Sequence, residues 1–309
     1  MSDRTQWDAV VVGDLFIDLV MTGFPTLPRL GEEGFASACQ REPGGGAAIT
    51  SCGLAALGMR AALLGVVGAD EIDWFRGRFG NRGVDTSMLV AHTTEPTAIT
   101  VAVSTPQDRI FYTYYGANVL LPELLSSQKT REHMAAARHV HFAYPVAPAL
   151  LAPMADWLRE RGTTTSIDVG WQEAWLADPA AAAALAHVDW FLPNEKEGER
   201  MSGASKPAAM MDWFRRQGAR GVALKLGTEG SAALVNGQFC PVPSIAVNPV
   251  DTTGAGDCFD AGFLYGISSG MPIERCLRYG NICGALSTEA AGGIAGFPAP
   301  ERISAWLGT

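Results

Sequence analysis

Apolar residues fall into short β-branched runs separated by longer stretches in which they recur at helical spacing. DAVVVGDLF (8–16), AALLGVVG (61–68), HVHFA (139–143), TTTSIDV (163–169), VDWFLP (188–193) and RGVALKL (220–226) read as strands, with helical patterns between them. That alternation predicts βαβ units and a doubly wound, mainly parallel sheet flanked by helices. After Leu226 the rhythm changes to two hairpin strands, SAALV and GQFCPV, turned at Asn236-Gly237, and apolar helices finish the chain. Two stretches break the alternation: 32–42 (EEGFASACQRE) and 97–115 (TAITVAVSTPQDRIFYTYY) read as half-exposed strands, the second pair turned at Pro106-Gln107-Asp108. Strands without crossover helices predict a small sheet projecting from the main body. No repeat or long linker divides the chain, so 1–309 is expected to be one domain, with the small sheet drawn from about 14–42 and 96–117.

Composition narrows the function classes. The chain is 48% hydrophobic and 18% charged, with a net charge of -9 and no block of like charges, which argues against a nucleic-acid or anionic-membrane partner. Six scattered cysteines form no CxxC pair, as expected of reduced thiols in the cytosol. The N-terminal residues carry no secretory pattern, and no window approaches 18 uninterrupted apolar residues. A cytoplasmic location is the expectation.

The chemistry concentrates at DTTGAGDCFDAGFLYG (251–266), where turn residues meet the apolar start of a helix. Gly254, Ala255 and Gly256 let a bound group approach the backbone, and the N–H groups of a helix start favour an anion such as a phosphoryl group. Asp257 would repel that anion unless its carboxylate faces a hydroxyl and takes its proton as the oxygen attacks phosphorus. The alternative is a favourable first-turn acid on a purely structural helix.

DTTGAGDCFDAGFL resembles the C-terminal signature of the ribokinase-like, or PfkB, family of carbohydrate and nucleoside kinases, and the likeness runs along nearly the whole chain. VVGDLFIDLV resembles the first family strand, with Asp18 in the place of a sugar-contacting acid and Asp14 close by. PGGGAAITSCGLAALG (43–58) resembles the N-terminal signature, whose glycines, here Gly44, Gly45 and Gly46, approach the substrate. GVVGADEIDWF (65–75) and GVDTSMLV (83–90) are similarly family-like. NEKE (194–197) is similar to an Asn-x-x-Glu motif associated with magnesium and phosphate, and LKLGTEGSAAL (224–234), with Lys225, Gly227 and Gly230, to the nucleotide-side strand and loop.

The resemblance implies a ribokinase-like α/β fold whose small β-sheet acts as a lid and a homodimer surface. It implies ATP-dependent phosphorylation of a hydroxymethyl group on a small sugar or nucleoside. Asp257 would be the base, Gly254, Ala255 and Gly256 the anion hole, and Asn194 with Glu197 the organisers of Mg²⁺ through water. Asn281 corresponds to a nucleotide-pocket position, Asn118 follows a run of aromatics that could stack on a sugar, and Asp251 and Thr253 match positions near a K⁺ ion. A catalytically silent sugar- or nucleotide-binding regulator on the same scaffold is the alternative of another class.

Two departures bear on specificity. Ile49 stands where the family's N-terminal signature has an asparagine that holds substrate hydroxyls. In DVGWQEAW (168–175), Gly170 and Gln172 replace an Asn and an Arg found in many sugar-acid and fructose kinases of the family. Without that arginine, a neutral sugar or a nucleoside is favoured over a charged one. The five histidines, His92, His133, His139, His141 and His187, have no ligand or triad spacing and are assigned to fold or surface.

Overall fold

On strand β1 (Trp7–Gly13), Val10 and Val12 join one buried cluster, Ala9 and Val11 join another, and all four side chains are fully buried. A strand covered on both faces needs apolar residues at every position, and this is why the strand runs are continuous rather than alternating. The computed structural model describes residues 5–105, 109–235 and 238–308, so the turns expected at Pro106-Gln107-Asp108 and Asn236-Gly237 lie outside the described residues.

In chain order the strands are β1, β2 (Phe16–Thr22), β3 (Ala38–Gly44), β4 (Ala61–Gly68), β5 (Leu89–His92), β6 (Ala98–Ser104), β7 (Arg109–Tyr114), β8 (Ala137–Ala143), β9 (Thr164–Asp168), β10 (Trp190–Phe191), β11 (Val222–Lys225), β12 (Ser231–Val235) and β13 (Gln238–Val242). Nine of them form one sheet in the order β13-β12-β11-β10-β9-β8-β1-β4-β5, parallel except for the β11-β12-β13 end. The remaining four form a second sheet, β3-β2-β6-β7. The expected ribokinase-like α/β architecture is therefore present, with its small separate sheet.

The second sheet differs in detail from the sequence reading. Its two central strands are β6 and β2, the latter having looked like one run with β1 in VVGDLFIDLV, and residues 32–37 form no strand; the pairing begins at Ala38. The break between β1 and β2 falls at Asp14 and Leu15, where the buried Asn118 carboxamide grips the chain. Its Oδ1 accepts from Leu15 N at 3.0 Å and its Nδ2 donates to Leu15 O at 3.1 Å. Both backbone groups of Leu15 are thereby satisfied away from either sheet ladder, so the chain can leave one sheet and enter the other. Asn118, expected from its aromatic neighbours to meet substrate, is buried and absent from the cavity lining, and its carboxamide clamps this bend.

Candidate active site

The C-terminal ends of β1, β8, β9 and β11 deliver Asp14, Ala143, Asp168 and Lys225 to one cavity of about 980 Å³. Such crevices beyond the strand ends are where open α/β sheets bind ligands. One part of the lining comes from Asp14, Phe16, Gly45, Gly46 and Gln172; another comes from Gly227, Gly230, Ile245, Val247, Asn281 and Ala285. Ala255, Gly256 and Asp257 also line it, at the start of the Ala255–Ser268 helix.

Gly254 makes that start possible. It is the residue before the helix, in the left-handed region at φ 75°, and a Cβ there would fall 2.7 Å from Ile49 Cδ1. Ile49 is buried against Gly254 and Gly293 and is absent from the cavity lining. In this chain it packs against the turn before the Ala255–Ser268 helix. Ala255 N donates to Thr252 O at 3.3 Å, while Asp251 ties the preceding loop: its Oδ1 accepts from Thr253 N and Oγ1 at 2.9 and 2.7 Å, and its Oδ2 from Gly292 N at 3.0 Å. Asp251 and Thr253 thus hold each other.

Close approach explains Gly46, where a Cβ would stand 2.5 Å from Asp257 Oδ1. The N-terminal glycines and the C-terminal aspartate, 211 positions apart by numbering, form one wall. Gly44 lies off the cavity beneath Asp18, whose Oδ2 would be 2.1 Å from a Cβ at that glycine. Asp18 itself is outside the lining set, whereas Asp14 is in it and accepts a hydrogen bond from Tyr115 Oη. Burial pushes both carboxyls up to about 6, with the tyrosine working against that rise at Asp14.

Asn194 and Glu197 form a reciprocal capping box at the Glu195–Ser202 helix, and both line the cavity. Glu197 Oε2 accepts from Asn194 N at 2.8 Å and Oε1 from Asn194 Nδ2 at 2.6 Å, while Asn194 Oδ1 accepts from Glu197 N at 3.0 Å. The asparagine amide is spent on holding the glutamate. Asn281 donates to Val242 O at 3.0 Å and Pro243 O at 3.2 Å, pinning the segment after β13 to the Ile273–Ser287 helix at the cavity edge.

Two residues escaped the sequence reading. Asp168, at the end of β9, and Asp260, one turn after Asp257, each present a carboxylate oxygen within 4.8 Å of the other and of Asp257. Lys225 holds them: its Nζ lies 2.5 Å from Asp168 Oδ2 and 3.1 Å from Asp260 Oδ1. Burial works to lower the Lys225 ammonium, but Asp168, Asp260 and Glu197 outweigh it and keep the lysine charged. Desolvation would raise Asp168, yet Lys225 holds it below the ordinary range. Asp257 has no such contact, and burial followed by the charge of Asp168 pushes it up to about 7, against the pull of Lys225. Glu197 is likewise pushed up to about 7, first by burial and then by Asp168. Only the GAGD end of the motif had drawn attention to this helix; the i, i+3 spacing of Asp257 and Asp260 was the available signal.

The glycine-cradled aspartate, the turn before it and the Asn-x-x-Glu box converge in one cavity, and the pfkB family carbohydrate kinase pattern matches residues 8–300. The chain belongs to the pfkB family of carbohydrate kinases. A 2-dehydro-3-deoxygluconokinase of Bacillus subtilis (strain 168) is 32% identical to this kinase over 278 residues, covering 83% of this chain and 84% of that protein. A nucleoside kinase of Methanothermobacter thermautotrophicus is 27% identical over 272 residues, with 86% and 85% of the two chains covered. The structure of Arabidopsis thaliana ribokinase complexed with ribose and ATP superposes with a TM-score of 0.87 at 26% identity, over 98% of this kinase and 99% of that chain. Among the described residues no helix is long and apolar enough to cross a membrane.

Proposed function

We propose that this kinase transfers the γ-phosphoryl group of ATP to a hydroxymethyl group of a small neutral sugar. The observation that carries the reading is Asp257, whose carboxylate reaches Gly46 on one side and stands at the first turn of the Ala255–Ser268 helix on the other. A substrate held among Asp14, Gly45, Gly46 and Gln172 would meet Asp257 with its hydroxyl. The apolar Ile245, Val247 and Ala285, with the Gly227 and Gly230 loop, suit an adenine nucleotide.

In this reaction the substrate O–H gives its proton to Asp257 Oδ as the oxygen bonds to phosphorus, and the bond from phosphorus to the β-phosphate oxygen breaks to release ADP. Ala255 N already donates to Thr252 O, so of the Gly254–Ala255–Gly256 turn the N–H of Gly256, which lines the cavity, would face the charge that develops. The hard carboxylate of Glu197, positioned by Asn194, suits a hydrated magnesium ion, which when bound supplies charge neutralisation at the phosphates. An all-oxygen pair at Asp251 and Thr253 would likewise suit K⁺ beside the anion-hole loop.

A neutral acceptor is supported by the cavity's own charges. Among the described lining residues Lys225 is the one cation, and it already serves Asp168 and Asp260, so an acceptor carboxylate would find no arginine. The small sheet would close over the acceptor as a lid and exclude water. The exposed Phe111, Tyr112 and Tyr114 on β7 make that sheet the surface on which two copies would pair.

Turnover with ATP across ribose, fructose, adenosine, inosine, pseudouridine and 2-dehydro-3-deoxygluconate tests the reading. The highest kcat/KM is expected for a neutral sugar. Ligand-induced thermal shifts without ADP release from any of them would refute phosphotransfer and favour a silent binding protein, and preference for the sugar acid would refute the charge argument.

A further inference from the structure

Behind the catalytic wall a chain of buried polar side chains crosses the main sheet. His139 and His141 lie two apart on β8, so both point to the same face, and Ser166 of the paired strand β9 stands between them. His139 Nδ1 is 2.8 Å from Thr164 Oγ1, His139 Nε2 is 2.7 Å from Ser166 Oγ, and Ser166 Oγ is 2.8 Å from His141 Nδ1. His141 Nε2 then faces Asp260 Oδ2 at 3.9 Å, both residues being 0% exposed. Neither of these two atoms has a hydrogen-bond partner among the described residues.

The direction of the protons along this chain follows from its outer end. Thr164 Oγ1 donates its proton to Arg138 O at 3.2 Å, so toward His139 it accepts, and His139 carries its proton on Nδ1. His139 Nε2 is therefore a bare acceptor and takes the Ser166 proton. Ser166 Oγ in turn accepts from His141 Nδ1–H. This leaves His141 Nε2 as a lone pair in a dry core, and the group in front of it is Asp260 Oδ2. At 3.9 Å the two atoms do not form a hydrogen bond, but a buried lone pair facing a buried carboxylate oxygen repels it, whereas a proton on Asp260 Oδ2 turned toward His141 Nε2 replaces that repulsion with attraction. Lys225 agrees with this assignment, since its Nζ sits closer to Asp168 than to Asp260.

We propose that Asp260 is held as a neutral carboxylic acid by the Thr164–His139–Ser166–His141 chain, and that it acts as a positioning residue for the catalytic base. It rests on Asp257 being that base. With Asp260 neutral, the Lys225 charge is matched by Asp168 alone, and Asp257 faces a balanced pair instead of a net negative cluster. The groups facing Asp260 are Lys225 from β11, Asp168 from β9, His141 from β8 and Asp257 one turn earlier on its own helix. Burial of Asp260, which favours the uncharged form, and burial of His141, which keeps the imidazole unprotonated, act in the same sense. The two histidines, assigned from spacing to isolated structural roles, are thus joined through Ser166 and aimed at the site.

Neutron diffraction from a perdeuterated crystal of the full-length enzyme near neutral pH reads this directly. A deuteron on Asp260 Oδ2 with His141 deuterated on Nδ1 alone is the expected result. A deuteron on His141 Nε2 with a bare Asp260 would overturn the assignment. The positioning role is read in the kcat–pH profile. His141→Leu removes the acceptor, so Asp260 ionises more readily and its charge makes Asp257 harder to ionise. The ascending limb is expected to move up by about one pH unit. His141→Gln, which restores an acceptor oxygen, is expected to return the limb to its native position. A folded His141→Leu with an unmoved limb would refute the coupling. The neutron result stands or falls without any reference to turnover, so it separates this inference from the assignment of Asp257 as base, which Asp257→Asn tests by itself.

Discussion

Asp257→Asn keeps the size of the side chain and removes both its charge and its basicity, so it separates what the carboxylate does for catalysis from what it costs the fold. Burial, then the charge of Asp168, lifts the group from 3.8 to about 7. A shift of about three units corresponds to a ceiling of about 4 kcal/mol between the ionised side chain in the folded and unfolded protein. The group lines an open cavity and water screens part of that penalty, so about 1–2 kcal/mol is the expected recoverable amount. A raised carboxyl favours the fold while it is protonated, and that advantage fades as pH climbs from about 4 through 7. At pH 5 the unfolded Asp257 is already ionised while the folded one is still neutral, so about a third of the cost is present; at pH 8.5 both are ionised, and Asn relieves all of it. For a chain of 309 residues this amounts to a thermal midpoint raised by about 2–4 °C at pH 8.5 and by about 1 °C at pH 5. Calorimetric melts of ligand-free protein at both pH values and one ionic strength measure it, alongside steady-state kinetics in which kcat falls by about 10²- to 10⁴-fold. A midpoint gain equal at the two pH values, or a loss at pH 8.5, would refute the electrostatic account; near-native turnover would remove Asp257 from catalysis.

Two further outcomes follow from the same geometry. With the base at about 7, kcat/KM for native enzyme rises with pH and falls to about one-tenth of its plateau one unit below that value, a dependence measured at saturating ATP; a flat profile between pH 5.5 and 8 would exclude a base in this range. Asn118→Ala strips both hydrogen bonds from the buried Leu15 backbone and is expected to destabilise the fold by about 2–4 kcal/mol in denaturant titrations while acceptor KM stays near native; a KM effect without a stability loss would restore Asn118 to the substrate site.

Asn118 also shows a structural role that sequence spacing did not reveal. Its position after a run of exposed aromatics suggested a ligand, because spacing along a strand cannot reveal a partner 103 positions away at the β1–β2 bend. Ile49 had looked like a lost substrate contact, and the structure instead packs it under Gly254. Asn194 and Glu197, read from NEKE as a magnesium-associated pair, form a helix cap in the fold, and both line the cavity. Asp168 and Asp260 were passed over because each looks ordinary in its own segment; the ammonium that binds them together comes from a third element.

From the sequence alone came the alternating strand and helix order, the separate small sheet, and the Gly-Ala-Gly-Asp join as the seat of chemistry. These are properties of neighbouring residues: apolar period, turn chemistry and the backbone freedom of glycine act over a few positions, so they are written locally. Only the tertiary structure decided which strand ends meet around Asp257, how Asp168 and Asp260 share one lysine, and that His141, linked through Ser166 to His139, faces that cluster. Those outcomes depend on desolvation and on charge across distances of a few ångströms between residues far apart in the chain, and neither quantity exists until the sheet has closed.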